Sequence, residues 1–148
     1  MTARKIAVLG AGSWGTALAV HLGRVGHDVR LWARDKSFAD EMASRRANVV
    51  YLPDVRFPST LSVSSSLEHI VDGVSVVVCA VPSHGVRAVV RLAVPHLTPR
   101  AVVVSAAKGL ETDTHLRVSE VMTQELGRAH PVVVLSGPSF AHEVAQEL

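Results

Sequence analysis

KIAVLGAGSWGTALAVHLGR, running from Lys5 to Arg24, decides how the rest of the chain is read. Lys5-Ile6-Ala7-Val8-Leu9 is a short apolar run with β-branched Ile6 and Val8, the pattern of a strand buried on both faces. Gly10-Ala11-Gly12-Ser13-Trp14-Gly15 fits G-x-G-x-x-G. From Thr16 onward, Leu18, Ala19 and Leu22 recur at helical spacing. Each glycine has a separate physical task. Gly10 permits the tight strand-to-helix turn, Gly12 lets a pyrophosphate approach bare backbone, and Gly15 lets the helix pack close to the strand. The helix N-terminus then presents unpaired N–H groups and the positive end of its dipole to phosphate. The motif alone is weak, but here it follows a strand and opens a helix, which is the context that gives it meaning.

The 148 residues are about one domain's worth. With 48% hydrophobic and 19% charged residues, the chain can build a full core and does not have a disordered composition. Fifteen basic residues stand against thirteen acidic, and no Lys/Arg run exceeds Arg45-Arg46, so nucleic acid is not an expected partner. Cys79 is the single cysteine, which excludes a disulfide framework and a cysteine metal site. No apolar run is long enough to span a bilayer, and Lys5 leads straight into the first strand without a cleavable leader. The expected location is the cytoplasm.

Outward from the opening unit, His27 to Ala33 is expected as a second strand, completing a right-handed βαβ crossover. Ser37 to Arg46 reads as a helix capped by Ser37, with Phe38 and Met42 inward. Asn48 to Pro58 reads as irregular, interrupted by two prolines. Thr60 to Ser64, Val74 to Val81, Ala101 to Ser105 and Pro131 to Leu135 are the remaining strands. Ser66 to Val71, Ser83 to Ala93, Thr112 to Leu126 and Phe140 to Leu148 are the remaining helices. Strand and helix alternate throughout, which predicts an α/β fold: a doubly wound, Rossmann-like parallel sheet in the order 3-2-1-4-5-6.

In such a sheet ligands bind beyond the carboxyl ends of the strands, near the switch in strand order. After the second strand comes Arg34, able to pair with a ribose 2′-phosphate and so favouring NADP. Asp35, one residue on, keeps NAD open, because a carboxylate there accepts from a 2′-hydroxyl. Pro82-Ser83-His84 follows the fourth strand; His84 is set aside as a solvated or capping residue. Lys108, between Ala107 and Gly109 after the fifth strand, has the chemistry to hydrogen-bond a carbonyl or alcohol oxygen and to attract a phosphorylated substrate. It also fits a plain surface turn. Ser136 to Ser139 offers hydroxyls and backbone N–H groups for a polar substrate, or Ser139 simply caps the last helix. Trp14 is either an apolar plug or a wall of the cofactor groove, and Tyr51 either packing or a lid over the adenosine half. No histidine spacing suits a metal, so none is expected.

These residues carry a resemblance. Gly10 to Ala19 (GAGSWGTALA), Asn48 with Tyr51-Leu52-Pro53, Ala80-Val81-Pro82-Ser83, Lys108-Gly109-Leu110-Glu111, and Ser136 to Ala141 (SGPSFA) with Glu143-Val144 resemble the NAD(P)-dependent glycerol-3-phosphate dehydrogenases of the bacterial type, from Lys5 to the last residue. The chain departs from the family pattern at Asp54, where glycine is usual. The resemblance implies reversible hydride transfer between NAD(P)H and dihydroxyacetone phosphate, giving sn-glycerol 3-phosphate for phospholipid synthesis. It implies cofactor contacts at Gly10, Gly12, Ser13, Trp14, Gly15, Arg34, Tyr51, Lys108 and Ala141. Lys108, Gly137 and Ser139 would contact substrate, with Lys108 the nearest to a catalytic role. The family's proton-transferring lysine, most of its phosphate site and its homodimer contact belong to a helical second domain. Residues 1–148 are expected as the dinucleotide-binding domain alone, binding cofactor without turnover. A non-catalytic NAD(P)-binding module is the alternative, since the fold by itself serves both.

Overall fold

In the computed structural model, which describes residues 1–137 and 140–147, β1 (Lys5–Leu9) lies at the centre with Ile6 to Leu9 buried. Its two faces serve two different cores. Ile6 and Val8 join the cluster beneath α1 (Ser13–Arg24), while Ala7 and Leu9 join the cluster on the opposite side. This is why the run is continuously apolar rather than alternating. Burying Ile6, Val8 and Leu9 contributes about 1.5–3 kcal/mol each.

The chain continues through β2 (Asp28–Trp32), α2 (Lys36–Arg45), β3 (Ala47–Asn48), β4 (Leu52–Arg56), β5 (Leu61–Ser64) and α3 (Leu67–Val71). Then come β6 (Val76–Cys79), a 3-10 turn (Ser83–Gly85), α4 (Val86–Ala93), β7 (Val102–Ser105), α5 (Val118–Leu126), β8 (Val132–Val134) and α6 (Ala141–Ala145). Six strands form one sheet in the order β5-β2-β1-β6-β7-β8, every neighbouring pair parallel. Counting only these strands in chain order gives 3-2-1-4-5-6, as the alternation predicts. The order reverses between β1 and β6, so their carboxyl ends open the crevice. The helix α6 returns across α1, where Arg24 donates to the Ala145 carbonyl.

Four local expectations need correction. The segment from Asn48 is not irregular: β3 and β4 form a small antiparallel hairpin, closed by Phe57 N–H on Arg46 C=O at 2.8 Å. Pro53 is tolerated because a two-stranded ribbon leaves edge positions needing no N–H. The cap of α2 is Asp35, whose Oδ1 accepts from Phe38 N–H at 2.7 Å, not Ser37. The helix expected from Thr112 starts only at Val118. His115 sits at φ 58°, and the Thr114 hydroxyl donates to the Glu111 carboxylate, so this stretch closes into a turn. The helix after Phe140 is one short segment, and its N-cap position, Phe140, supplies no side-chain cap.

The tightest point is the first turn. Gly10 has φ +108°, and a Cβ on Gly15 would lie 1.9 Å from the Gly10 carbonyl oxygen, a backbone atom that cannot step aside. Gly15→Ala is therefore expected to lower stability by about 1–3 kcal/mol through overpacking, read by denaturant unfolding. Wild-type stability in this variant would contradict the packing described.

Candidate functional site

The opening of α1 leaves its backbone donors uncapped. Its first-turn N–H groups have no intrahelical carbonyl. Its N-cap, Gly12, offers no side chain to them, and no acidic residue in the first turn offsets the dipole. A Cβ on Gly12 would meet nothing within 4 Å, so the bare backbone there faces open space. The strain of the turn falls on Gly10 and Gly15, and the exposed amide surface falls on Gly12.

That space is a cleft of about 790 Å³, inside the range of small-molecule sites. Gly10, Gly12, Ser13, Trp14 and Gly15 form one wall. Arg34 and Tyr51 line the end beyond β2, and Lys108 and Ala141 line the side beyond β7. Five segments far apart in sequence thus meet at the crevice. Gly137 does not line it, but its carbonyl accepts from Lys108 Nζ at 3.2 Å, which ties the end of β8 to the lysine. Ser139 lies outside the described residues. His84 borders the cleft from the exposed 3-10 turn.

Trp14 belongs both to the packing and to the cleft lining. Its ring packs partly buried against the α1-side core and also lines the cleft, while its indole N–H donates to the Ala106 carbonyl at 3.2 Å. At the far end, Asp35 Oδ1 caps the α2 N-terminus. Arg34 beside it is exposed and has no side-chain partner among the described residues. Tyr51 is 54% exposed, and its ring meets Phe38 edge-on, with centroids 6.0 Å apart and planes at 81°.

Sequence reasoning missed the brace behind Lys108. Arg87 on α4 grips Glu111 through two bonds of 2.6 and 2.7 Å and reaches Glu125 on α5 at 2.8 Å. Arg91 adds two more bonds to Glu125, at 2.9 and 2.8 Å. Glu111 stands three residues past Lys108, so the network anchors the loop that presents the lysine. The Arg87 guanidinium, helped by the Thr114 hydroxyl, holds the Glu111 carboxyl down at about 2. Arg91 and then Arg87 hold Glu125 at about 2. The four charges come from three separate segments, so no single sequence window displays them. Cys79 is buried, and burial pushes its thiol up to about 11, which leaves it inert. Among the described residues no group of three His, Cys, Asp or Glu side chains could hold a metal ion, and no helix is long and apolar enough to cross a membrane.

The sequence model for the family described as NAD-dependent glycerol-3-phosphate dehydrogenase N-terminus matches residues 5–148. The chain belongs to this family. It is 47% identical over 144 residues to a glycerol-3-phosphate dehydrogenase (NAD(P)+) of Thermoanaerobacter sp. (strain X514), covering 97% of this chain and 43% of that protein. The corresponding enzyme of Desulfitobacterium hafniense (strain Y51) is 47% identical over 144 residues, covering 97% and 40%. Among solved structures, glycerol-3-phosphate dehydrogenase from Coxiella burnetii superposes with a TM-score of 0.92 at 40% identity, covering 99% of this chain and 44% of that one. The chain thus spans less than half the length of these relatives, and it matches the N-terminal, Rossmann-like part. Membership of this family implies NAD or NADP as the cofactor.

The lowered Glu111 and Glu125 carboxyls predict that the domain loses stability in acid within a defined window. Carboxylates whose titration is lowered by folding stabilise the fold fully above the ordinary glutamate range, and that contribution is lost as pH falls toward about 2. Arg87→Met should flatten the stability-versus-pH curve in that window and speed amide exchange in residues 108–117. An unchanged curve and unchanged exchange would show that the loop is held by something else.

Proposed function

We propose that this chain is the cofactor-binding half of an NAD(P)-dependent glycerol-3-phosphate dehydrogenase, interconverting dihydroxyacetone phosphate and sn-glycerol 3-phosphate and so supplying the glycerol phosphate of phospholipid synthesis. The observation that carries the reading is one cleft with an anion-receiving helix terminus on one wall and an ammonium, Lys108, on another. A module that only stored a dinucleotide has no need of the lysine. The donor set fits the group: unpaired backbone N–H at Ser13 and Trp14 for a diphosphate, and an open approach at Gly12. When bound, the nicotinamide supplies or accepts the hydride.

The chain's own residues bind and orient. The glycine turn holds the diphosphate, and the Trp14 ring, fixed by Ala106, bounds the groove beside it. Lys108 directs its ammonium at the oxygen that gains negative charge as a ketone is reduced, an electrostatic stabilisation that grows toward the transition state. The Gly137 carbonyl accepts from that ammonium, and the Arg87–Glu111 pair anchors the loop three residues beyond Lys108. At the other end Arg34 offers a guanidinium to a 2′-phosphate, while Asp35 has one carboxylate oxygen engaged in capping α2. NADP(H) is therefore the preferred cofactor. The relatives are more than twice as long, and turnover is expected only where the remainder of the protein, including its proton-transferring group and homodimer contact, is present. The single buried cysteine fits a reducing, cytoplasmic setting.

Calorimetric titration of the 148-residue chain with NADPH and NADH tests this. NADPH is expected to bind more tightly. Arg34→Ala should weaken NADPH about tenfold, as loss of a charge-assisted contact does, and leave NADH nearly unchanged. Gly12→Val should abolish both while the chain stays folded, because nothing in the protein opposes a side chain there. Equal affinity of wild type and Gly12→Val for NADPH would overturn the reading.

A further inference from the structure

Asn48 lies at the base of the hairpin, fully buried and outside the cleft lining. Its amide nevertheless ties together three parts of the site. Nδ2 donates to the Ala11 carbonyl at 3.0 Å and to the Thr16 hydroxyl at 2.9 Å, and Oδ1 accepts from the Tyr51 N–H at 3.1 Å. The orientation of the amide is forced. A carbonyl oxygen only accepts and a backbone N–H only donates, so Nδ2 must face Ala11 and Oδ1 must face Tyr51. Ala11 belongs to the glycine turn, Thr16 to the first turns of α1, and Tyr51 to the hairpin segment bordering the cleft. Between Asn48 and β4, Val50 and Tyr51 are more than half exposed, and Tyr51 meets Phe38 only edge-on. The polar tether is thus what fixes the height of Tyr51 over the cleft relative to the phosphate-receiving turn.

We propose that Asn48 is a positioning residue for dinucleotide binding: it holds Tyr51 in register with the glycine turn, so that affinity at the adenosine end depends on a side chain that touches no ligand. The proposal rests on the reading of the cleft as a dinucleotide site. Replacing the amide by a carboxylate keeps an acceptor for Tyr51 but sets an oxygen against the Ala11 carbonyl. Replacing it by a methyl group leaves all three partners unsatisfied. Either change frees Tyr51 from the turn.

The test is a double-mutant cycle on the 148-residue chain, with folding checked by circular dichroism. Wild type, Asn48→Ala, Asn48→Asp, Tyr51→Ala and the Asn48→Ala/Tyr51→Ala pair are titrated with NADPH and with 2′,5′-ADP, well below each melting temperature. Asn48→Ala is expected to weaken both ligands about tenfold in the wild-type background and less than about threefold in the Tyr51→Ala background, because the two residues act as one unit. Asn48→Asp, tested alone, should show the tenfold loss too and carries the test if Asn48→Ala does not fold. A lower melting temperature with wild-type affinity, or the same loss in both backgrounds, overturns the positioning role while leaving the cofactor site standing. Failure of wild type to bind either ligand overturns the site itself, and this proposal with it.

Discussion

The contact on which the structure turns is the approach of Gly15 to the carbonyl of Gly10. With no Cβ between them, α1 starts directly over the end of β1 instead of a side chain's width away. Three consequences follow. The first-turn N–H groups of α1 face the crevice, the central strand can be covered on that side by α1, and the crossover to β2 stays short enough to place Arg34 at the same mouth. A wider turn would move the first-turn N–H groups away from the crevice and loosen the core in one step.

Much of this was legible because it depends on local pattern. The apolar run Lys5–Leu9, the glycine spacing and the alternation of strands with helices fix the sheet order, and the sheet order fixes which residues reach the crevice. Arg34 and Lys108 could be placed there simply because each follows a strand. What stayed hidden depends on contacts across sequence. Ser37 looks like the cap of α2 in the sequence, and only the bond from Phe38 N–H to Asp35 Oδ1 shows that Asp35 takes that place. The hairpin at Asn48 was masked by Pro53 and Pro58, whose usual effect is to break pairing. The late start of α5 reflects the turn around Thr114 and His115, where helix-compatible residues are overruled by the side-chain bond to Glu111.

The polar groups divide the labour around the crevice. Arg34 and Lys108 are exposed at the cleft, and the Lys108 loop and Tyr51 are each backed by groups outside its lining. Arg87 with Glu111 stiffens the lysine loop through charge-assisted bonds, and Asn48 links the turn to Tyr51 through buried neutral ones. Catalytic precision in such sites comes from this backing as much as from the contacting atoms.

The central claim is that backbone amides of residues 12–14 receive the diphosphate of a nicotinamide dinucleotide. Titration of NADPH into isotopically labelled protein, followed by amide nuclear magnetic resonance, tests it residue by residue. The account predicts the largest shifts at the Gly12, Ser13 and Trp14 N–H groups, saturating with a single affinity. Saturable binding that leaves those three amides unmoved would contradict it.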